Sequence, residues 1–528
     1  MRGFESNEDV PPPGRIGRIA VGDLIRRTAR RLPQRIALAE GDRRTTYAEL
    51  DALSNRFADH LLRLDLGAGA RVATICNNST EFVIALFGIL KAGLVWVPVN
   101  TVLTPRDARY IVEHSGVRAV VVDSAIYARP EWREIVDGLG AELILNDPAA
   151  QPAFAAILRD ASSEEPQVEI GERDLAIIMY TSGTTAMPKG AMHCHLAITI
   201  AAMSNAVEWR LDREDAVTGL LPLFHCAQHT LLNAAFLVGA KVVVAQGFEP
   251  RAFLETATAE KITISVLLPA MYDALLDHPA RATHPADSLR LCIWGMAPMS
   301  KTLVQRITSE LCPNLILGSG QTEMYPTTTM TRADRALARF GNYWGESAVM
   351  NETAIMDDDG RLLPPGETGE IVHRGPNVMM GYYRDPAATA AARAHGWHHT
   401  GDLGRIDDHG ELLFVDRKKD LIKSGGENVS SVKVEEALLA HPAVARAAAV
   451  GLPHPRWGEC VTAFVCLKPG AQASEDEILA HGRNILSGFQ APKAVVILPE
   501  MPMVASGKVK KAELRQAYAG RFASETVI

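Results

Sequence analysis

The sequence predicts an α/β protein with a large, multi-subdomain N-terminal domain, in which helices cover parallel sheets, and a small, mobile α+β C-terminal domain. The first observation is the length of 528 residues, which exceeds what one hydrophobic core accommodates and predicts at least two domains. The second is the alternation of short β-rich runs with helical stretches, which is typical of parallel sheets covered by helices. The third is a charged and then glycine-rich segment at 416–428, after which the pattern becomes compact α+β.

The composition is that of an ordinary globular protein. Hydrophobic residues make up 47% and charged residues 22%, with a formal net charge of -8, which argues against disorder and against nucleic-acid binding as a main task. The sequence holds no run of about 18 apolar residues and no apolar segment near its start, so we expect neither a transmembrane helix nor a secretory signal. The seven cysteines are dispersed, which favours buried thiols in a reducing cytoplasm.

The elements of the N-terminal part follow in order. Residues 1–14 are polar and proline-rich, which predicts a flexible lead-in. Apolar residues spaced by three and four predict helices, and short β-rich runs predict strands. The predicted helices cover 23–32 and 47–64, and the predicted strands include 119–123, 241–245 and 262–269.

A domain boundary is predicted near Asp416, so that the N-terminal domain covers 15–416 and the C-terminal domain 417–528. Before the boundary, the run GRIDDHGELLFV predicts a hairpin that turns at His409 and Gly410. After it, a domain of about a hundred residues is an ordinary size. Its predicted elements are a helix over 432–444, strands over 445–452 and 460–467, and a helix over 474–486.

The strongest local signal is IIMYTSGTTAMPKGAMHCH at 177–195, in which an apolar strand runs into a loop of hydroxyls, glycine and lysine. Such a loop suits polyphosphate, because glycine lets the backbone approach closely, hydroxyls donate hydrogen bonds and lysine adds a charge. Pro188 stands where a Walker A loop has its second glycine. A solvated Thr/Ser-rich turn is the alternative at this point. The candidate phosphate-binding residues are Thr181, Ser182, Gly183, Thr184, Thr185 and Lys189.

At this segment the sequence resembles the adenylate-forming superfamily of acyl-CoA synthetases, adenylation domains and beetle luciferases. The resemblance continues in order through LPLFH at 221–225, SGQTE at 319–323, TGD at 400–402, DRKKDLIKSGGEN at 416–428 and PMVASGK at 502–508. Residues 37–61 also look like the start of the family. The order of the motifs makes an accidental match implausible, and the resemblance covers nearly the whole chain.

The resemblance implies a role for each matching residue. The resemblance assigns the catalysis of adenylate formation to Lys508, Thr322, Glu323 and His225. It assigns Thr184 and Glu323 as ligands of Mg²⁺, for which carboxylate and hydroxyl oxygens are suitable. The resemblance assigns nucleotide contacts to the phosphate loop and also to Ser319, Gly320, Gln321, Asp402 and Arg417. Asp402 suits the ribose, because an ionised carboxylate accepts hydrogen bonds from both ribose hydroxyls. The hinge falls at Lys419, and Gly425 and Gly426 approach coenzyme A.

The segments that line the acyl site by resemblance contain small and soft residues and no lysine or arginine. We therefore expect a roomy pocket for a bulky or medium-to-long hydrophobic acid. The alternative is that the small residues only relieve packing between strand ends. The predicted lining residues are Cys226, Ala227, Trp294, Gly295, Met296 and Met324, together with Gly320.

The sequence departs from the family pattern at several positions. Ala186 replaces a loop glycine, Ser319 replaces a tyrosine beside the adenine, and Ser430 and Ser431 stand where a proline-containing pattern is usual. His225 and His229 are four residues apart, but the absence of a glutamate between them and of a third ligand argues against a metal pair.

The resemblance implies an ATP- and Mg²⁺-dependent ligase that forms an acyl-adenylate and passes the acyl group to coenzyme A. An enzyme that loads an acyl-carrier protein is the main alternative, since the motifs do not separate the two acceptors. A luciferase-like oxygenase and a non-enzymatic nucleotide-binding protein are further alternatives. The oligomeric state is open, with a homodimer as one arrangement.

Overall fold

The structure is a computed structural model that describes residues 16–146, 153–181, 187–295, 299–338, 342–503 and 509–522. Within these ranges, no helix combines the length and the apolar character needed to cross a membrane. All seven cysteines lie in these ranges as buried free thiols, which confirms that they serve as small apolar side chains.

The described helices are, in chain order, α1 (Gly22–Arg31), α2 (Tyr47–Arg63), α3 (Thr80–Lys91), α4 (Pro105–Ser115), α5 (Ser124–Tyr127), α6 (Pro130–Asp137), α7 (Ala153–Asp160), α8 (His195–Glu208), α9 (Cys226–Val238), α10 (Pro250–Glu260), α11 (Pro269–Leu276), α12 (Lys301–Glu310), α13 (Ala333–Ala338), α14 (Pro386–Ala391), α15 (Ser431–Leu439), α16 (Glu475–Ile485) and α17 (Lys511–Ala517).

The described strands are β1 (Ile36–Glu40), β2 (Arg43–Thr46), β3 (Arg71–Ile75), β4 (Val95–Pro98), β5 (Ala119–Asp123), β6 (Glu142–Asn146), β7 (Leu175–Thr181), β8 (Lys189–Cys194), β9 (Ala216–Gly219), β10 (Lys241–Val244), β11 (Ile264–Leu267), β12 (Leu291–Trp294), β13 (Leu315–Ser319), β14 (Thr329–Arg332), β15 (Asn342–Ser347), β16 (Glu352–Met356), β17 (Gly369–Arg374), β18 (Gly381–Tyr382), β19 (His398–Ile406), β20 (Leu412–Arg417), β21 (Ile422–Ser424), β22 (Glu427–Val429), β23 (Val444–His454), β24 (Gly458–Leu467) and β25 (Ala494–Ile497).

Within the described ranges the strands form three sheets. A 13-stranded sheet has the order β16-β17-β19-β20-β15-β14-β13-β12-β11-β9-β10-β1-β2, and a 7-stranded sheet has the order β18-β8-β7-β4-β3-β5-β6. Neighbours from β1 to β13 in the large sheet run parallel, whereas β13 to β20 are paired antiparallel. The α/β prediction is confirmed, and the antiparallel half of the large sheet was not anticipated.

A layer of helices lies between the two large sheets. One hydrophobic cluster combines buried residues of the 7-stranded sheet, such as Val72 and Trp96, with residues of the 13-stranded sheet, such as Val217 and Ile293. Helix α3 lies in this layer and is buried almost all round, as expected of an apolar helix covered on every side. The two sheets therefore pack against the same layer of helices.

The C-terminal sheet has its own core on both faces. It has the order β22-β21-β24-β23, with β25 beside β24. In β24, Val461 and Val465 face one cluster, whereas Cys460 and Phe464 face another, because successive side chains of a strand point to opposite faces. Strand β20 belongs to the large sheet and β21 to this one, and the predicted boundary near Asp416 falls at the end of β20.

Helix starts follow the sequence more closely than helix ends. Helix α2 begins where Thr46 and Glu49 form a capping box, so the predicted helix over 47–64 is confirmed. The helix predicted over 432–444 ends earlier, at Leu439, because Pro442 disfavours helical backbone before it. The strand predicted over 262–269 is likewise too long, since Pro269 already begins α11.

Candidate active site

The predicted phosphate loop connects two antiparallel strands. Strands β7 and β8 pair up to Thr181 opposite Lys189. The predicted loop residues Ser182, Gly183, Thr184, Thr185 and Ala186 between them lie outside the described residues, and Met296 and Lys508 also lie outside them. The exposed Lys189 places its Nζ 5.0 Å from the centre of the Tyr382 ring, a geometry that attracts a cation to an aromatic face.

The turn that carries the SGQTE motif is held through its backbone. After β13 ends at Ser319, a single 3-10 turn covers Thr322–Met324. Three consecutive carbonyl oxygens of this turn accept hydrogen bonds from outside it, which hold the backbone of the turn in place. The donors to the carbonyls of residues 322, 323 and 324 are, in order, His193 Nε2 at 2.8 Å, the Met379 N–H at 2.7 Å and Asn377 Nδ2 at 2.6 Å.

His193 acts on this turn as a neutral hydrogen-bond donor. Burial lowers the pKa of His193 to about 4, so the ring is uncharged at neutral pH. A carbonyl oxygen can only accept, so Nε2 carries the proton that it donates to Thr322. Among the described residues, Nδ1 of His193 has no partner.

The predicted ribose-binding residues lie together. Asp402 and Arg417 are paired across β19 and β20, with Nε of Arg417 3.6 Å from the buried Asp402 carboxylate. Gln321 donates from Nε2 to Asp402 Oδ2 at 2.9 Å. His398, whose pKa burial lowers to about 4, donates from Nε2 to Gln321 Oε1 at 3.2 Å. The structure thus brings three separate sequence motifs to one carboxylate.

The two histidines of the FHCAQH segment have different surroundings. His225 begins α9, and its Nδ1 accepts from the Ala227 N–H at 3.2 Å. His229 is fully buried and bonds to the Tyr325 hydroxyl, and burial lowers its pKa to about 3. Cys226 Sγ lies 3.5 Å from Thr322 Oγ1. The start of α9 therefore adjoins the motif turn, as expected for a site that joins an acid to a nucleotide.

The glycines predicted to leave room for the acyl group have a second role. A Cβ at Gly295 would lie 2.7 Å from the Gly318 carbonyl oxygen, and a Cβ at Gly320 would lie 2.7 Å from Pro326 Cβ. Both glycines therefore serve close packing, which was the alternative interpretation. The side chains of Cys226, Trp294 and Met324 are buried, whereas Ala227 is half-buried.

The hinge and the coenzyme A glycines lie on consecutive turns. Lys419 is exposed and lies in the short connection between β20 and β21. Gly425 and Gly426 form the turn between β21 and β22 with φ of +61° and +85°, a conformation that favours glycine. The two glycines therefore expose backbone atoms, with no side chains beside them, at the tip of the β21–β22 hairpin.

Three residues with clear contacts to the site were missed in the sequence. His193, Asn377 and Tyr382 bond to the backbone or the carboxylate of the motif turn. His193 interrupts the small and apolar residues that follow Lys189 in β8, which was the available signal. Asn377 and Tyr382 belong to a loop and a two-residue strand, where no periodic pattern marks a buried polar group.

The chain is similar to known proteins over most of its length. The family model described as AMP-binding enzyme matches residues 25–383, and that of the AMP-binding enzyme C-terminal domain matches residues 433–508. A feruloyl-CoA synthase from Amycolatopsis sp is 34% identical over 493 residues, which are 93% of this chain and 98% of that protein. The long-chain-fatty-acid–CoA ligase FadD13 from Mycobacterium tuberculosis is 33% identical over 505 residues, 94% of this chain and 98% of that one.

A solved structure extends the similarity to the whole fold. The O-succinylbenzoate coenzyme A synthetase MenE from Bacillus subtilis, in complex with ATP and magnesium ion, superimposes with a TM-score of 0.84 at 29% identity. The match covers 93% of this chain and 98% of that chain.

Proposed function

The chain belongs to the family of AMP-binding enzymes and is an ATP-dependent, AMP-forming acid–thiol ligase that uses coenzyme A. From this premise we propose that its acid substrate is a bulky or medium-to-long hydrophobic carboxylic acid. We also propose that the residues assembled around Asp402 and Glu323 form its nucleotide site. The predicted luciferase-like and non-enzymatic alternatives are not favoured, because the similar proteins of known activity are coenzyme A synthases and ligases.

The convergence of Gln321, Asp402 and Arg417 is the observation that carries the proposed site. An ionised carboxylate accepts hydrogen bonds from two neighbouring hydroxyls, and Arg417 supplies a positive charge beside it. The ribose would be bound there, at the C-terminal end of β13, where parallel sheets commonly bind nucleotides. In this proposal Thr322 and Glu323 of the motif turn would contact the phosphates and their metal ion.

Mg²⁺ fits the groups at this turn. Glu323 is a half-buried carboxylate, and the described residues contain no cluster of three His, Cys, Asp or Glu able to hold a metal ion. Mg²⁺ is usually bound through one or two carboxylates plus substrate phosphates. Glu323, with Thr184 of the loop, would hold the ion, which when bound neutralises charge on the phosphates.

In the proposed first step the substrate carboxylate attacks the α-phosphorus of ATP and pyrophosphate leaves. The bond to the bridging oxygen breaks as the mixed anhydride forms, so no protein nucleophile is needed. Positioning and charge stabilisation provide the catalysis. Lys508 contacts the α-phosphate and the substrate oxygens, Lys189 and the loop bind the β- and γ-phosphates, and His225 borders the carboxylate.

In the proposed second step the thiol of coenzyme A attacks the adenylate carbonyl and AMP leaves. The C-terminal domain, over 417–528, turns about Lys419 relative to the domain over 15–416. This motion withdraws Lys508 and brings Gly425 and Gly426 to the site, as in other hinge closures.

The proposed acid is supported by the relatives and by the lining of the site. Feruloyl-CoA synthase and FadD13, named for an aromatic and a long-chain acid, are both about one third identical to this chain. Cys226, Trp294 and Met324 are buried apolar side chains, and Cys226 contacts Thr322. Met side chains adapt to irregular ligands.

Coenzyme A is the favoured acceptor, because the relatives of known activity are coenzyme A ligases. Loading of a carrier protein is not favoured, and a homodimer is an arrangement that sedimentation would test. A cytoplasmic location is proposed from the seven reduced thiols, which suit a reducing compartment.

A panel of carboxylic acids tests the proposed function. Pyrophosphate release and AMP formation are measured with and without coenzyme A. We expect acid-dependent exchange of labelled pyrophosphate into ATP without coenzyme A, and thioester formation only with it. Formation of ADP and phosphate instead of AMP and pyrophosphate would contradict the mechanism.

A further inference from the structure

The segment 379–383 connects the strand after the phosphate loop to the motif turn. The N–H of Met380 donates to Met192 O at 2.7 Å, and the N–H of Tyr383 donates to Gly190 O at 2.8 Å, both in β8. The N–H of Met379 donates to Glu323 O at 2.7 Å. The segment is therefore fixed to both sides of the proposed phosphate and metal site.

Tyr382 lies within this segment between two side chains of opposite charge. Its hydroxyl donates to Glu323 Oε1 at 2.8 Å, and its ring lies under Lys189 Nζ at 5.0 Å. Burial, and then the charge of Glu323, raises the pKa of Tyr382 above its ordinary value. Because an ionised carboxylate only accepts hydrogen bonds, the hydroxyl is the donor in this contact.

We propose that Tyr382 is the positioning residue of the Mg²⁺–ATP site, in which its hydroxyl holds one oxygen of Glu323 so that the other is directed to the metal ion, and its ring holds Lys189 beside the phosphates. This inference rests on the proposed role of Glu323 as a metal ligand.

The chemistry of Mg²⁺ makes such a residue effective. The ion demands near-octahedral geometry and takes few protein ligands, so the orientation of a single carboxylate decides how well it binds. Hydrogen bonds to a ligating carboxylate fix that orientation, and their removal typically weakens metal binding about 10- to 100-fold. At Glu323 the described structure offers this bond from Tyr382.

A purely structural role for Tyr382 makes a different prediction. The ring packs against the small cluster of Ala191, Met379 and Ala392, so its loss could lower stability without affecting the metal. Tyr382→Phe separates the two roles, because it keeps the ring, the packing and the contact with Lys189 and removes only the hydroxyl. Tyr382→Leu removes the aromatic face as well.

The experiment measures binding of α,β-methylene-ATP, which cannot be cleaved at the reacting bond, by calorimetry over a range of Mg²⁺ concentrations. Wild type, Tyr382→Phe, Tyr382→Leu and Glu323→Gln are compared, with Tyr383→Phe as the matched control, since the Tyr383 ring faces His114 and Arg384. Thermal unfolding of each variant without nucleotide is recorded in parallel.

For Tyr382→Phe we expect the Mg²⁺ concentration at half-maximal binding to rise about tenfold with an unchanged Tm. Tyr382→Leu should in addition bind the nucleotide more weakly at saturating Mg²⁺, and Tyr383→Phe should match wild type. A wild-type Mg²⁺ curve for Tyr382→Phe, with or without a lower Tm, would overturn the inference. If Glu323→Gln also leaves the curve unchanged, the proposed role of Glu323 fails as well; if Glu323→Gln shifts it, only the role of Tyr382 is lost.

Discussion

At the scale of single residues, burial lowers the pKa of His195 and makes the stability of the fold depend on pH. His195 is almost fully buried at the start of α8, where its Nδ1 accepts from the Val21 N–H at 3.2 Å. Burial lowers its pKa from 6.5 to about 4. As the pH falls below 6.5, the unfolded chain binds a proton that the folded chain does not, so stability is lost down to about pH 4 and is fully present above 6.5.

This linkage predicts a measurable effect of one substitution. His195→Asn keeps an acceptor for Val21 and removes the titrating group, so the loss of unfolding free energy between pH 7 and 4.5 should be smaller by about 2–3 kcal/mol. Urea unfolding at the two pH values measures it. The exposed turn residue His409 provides the control in His409→Asn, and an unchanged loss in His195→Asn would refute the linkage.

Lys508 should matter in one half-reaction only. We expect Lys508→Ala to slow adenylate formation by about 10²- to 10³-fold, by analogy with the loss of an oxyanion contact, and largely to spare thioester formation from presynthesised acyl-AMP. Pyrophosphate exchange and thioester assays measure the two steps separately. Equal losses in both steps would contradict the alternation of the C-terminal domain.

The sequence motifs group residues that the structure brings close together, and the roles assigned to these residues stay predictions. Asp402, Arg417 and Gln321 were predicted for one nucleotide site, and the structure brings them together. His193 contacts a backbone carbonyl and Tyr382 contacts a side-chain carboxylate, and both partners are far away in the sequence. No local pattern encodes such a pairing, so these residues could not be assigned from the sequence.

Among the elements, α15 gives a physical account of the departure at Ser430 and Ser431. Ser430 Oγ caps the helix by accepting from the Lys433 N–H at 3.2 Å and donates to Val415 O at 2.6 Å. Ser431 donates from its N–H and its hydroxyl to the buried Asp416 carboxylate at 2.5 and 3.0 Å. Proline has no N–H, so a family-like proline at 431 would lose the first of these two bonds.

These bonds join the last strand before the predicted hinge to the first helix after it. Lys511 Nζ adds a contact to Ser431 Oγ at 2.7 Å, and burial raises the pKa of Asp416. A buried carboxylate that loses its donors is costly, by about 1–3 kcal/mol per group. The connection between β20 and α15 should therefore be sensitive to residue 431.

We expect Ser431→Pro to destabilise the chain more than Ser431→Ala does. Proline is tolerated at the first position of a helix, so its effect, about 1–3 kcal/mol, comes from the lost donors. Alanine keeps the N–H and loses only the hydroxyl. Calorimetric unfolding of the two variants measures the difference, and equal stability of Ser431→Pro and wild type would contradict this account.

Element types were predictable because they depend on local spacing, whereas their ends depend on neighbours. The helix over 47–64 was predicted from apolar spacing and is observed as α2. The end of α15 at Leu439 depends on how Pro442 restricts the backbone before it.

At the scale of the whole molecule, the order of the strands in the sheets could not be predicted from the sequence. Strand β1 pairs with β10, about two hundred positions later in the chain, and β18 pairs with β8. Alternating strands and helices predict parallel sheets, but they do not say which distant strands become neighbours. The assembly of the site depends on these pairings, since β18 carries Tyr382 to Glu323.

The remaining prediction concerns the size of the acid that the assembled molecule accepts. Because Gly295 and Gly320 are packed against backbone and Pro326, space for the acyl group has to come from small side chains such as Ala227, with Cys226 and Met324 as apolar walls. Each buried methylene contributes about 0.8 kcal/mol, so octanoate should exceed acetate in kcat/KM, by several powers of ten at most.

Comparison of kcat/KM for acetate, octanoate, palmitate, a cinnamate and a polycyclic acid measures this preference. Ala227 is half-buried at the start of α9, and Ala227→Phe should fill the space beside it. This variant should have a lower kcat/KM for the large acids and an unchanged kcat/KM for acetate. Ala128→Phe is a control, because Ala128 is an exposed residue that directly follows α5 and is not one of the predicted lining residues. A preference of the wild type for acetate would contradict the prediction, and an equal loss for all acids in Ala227→Phe would show that residue 227 supports the nucleotide site instead of the acyl group.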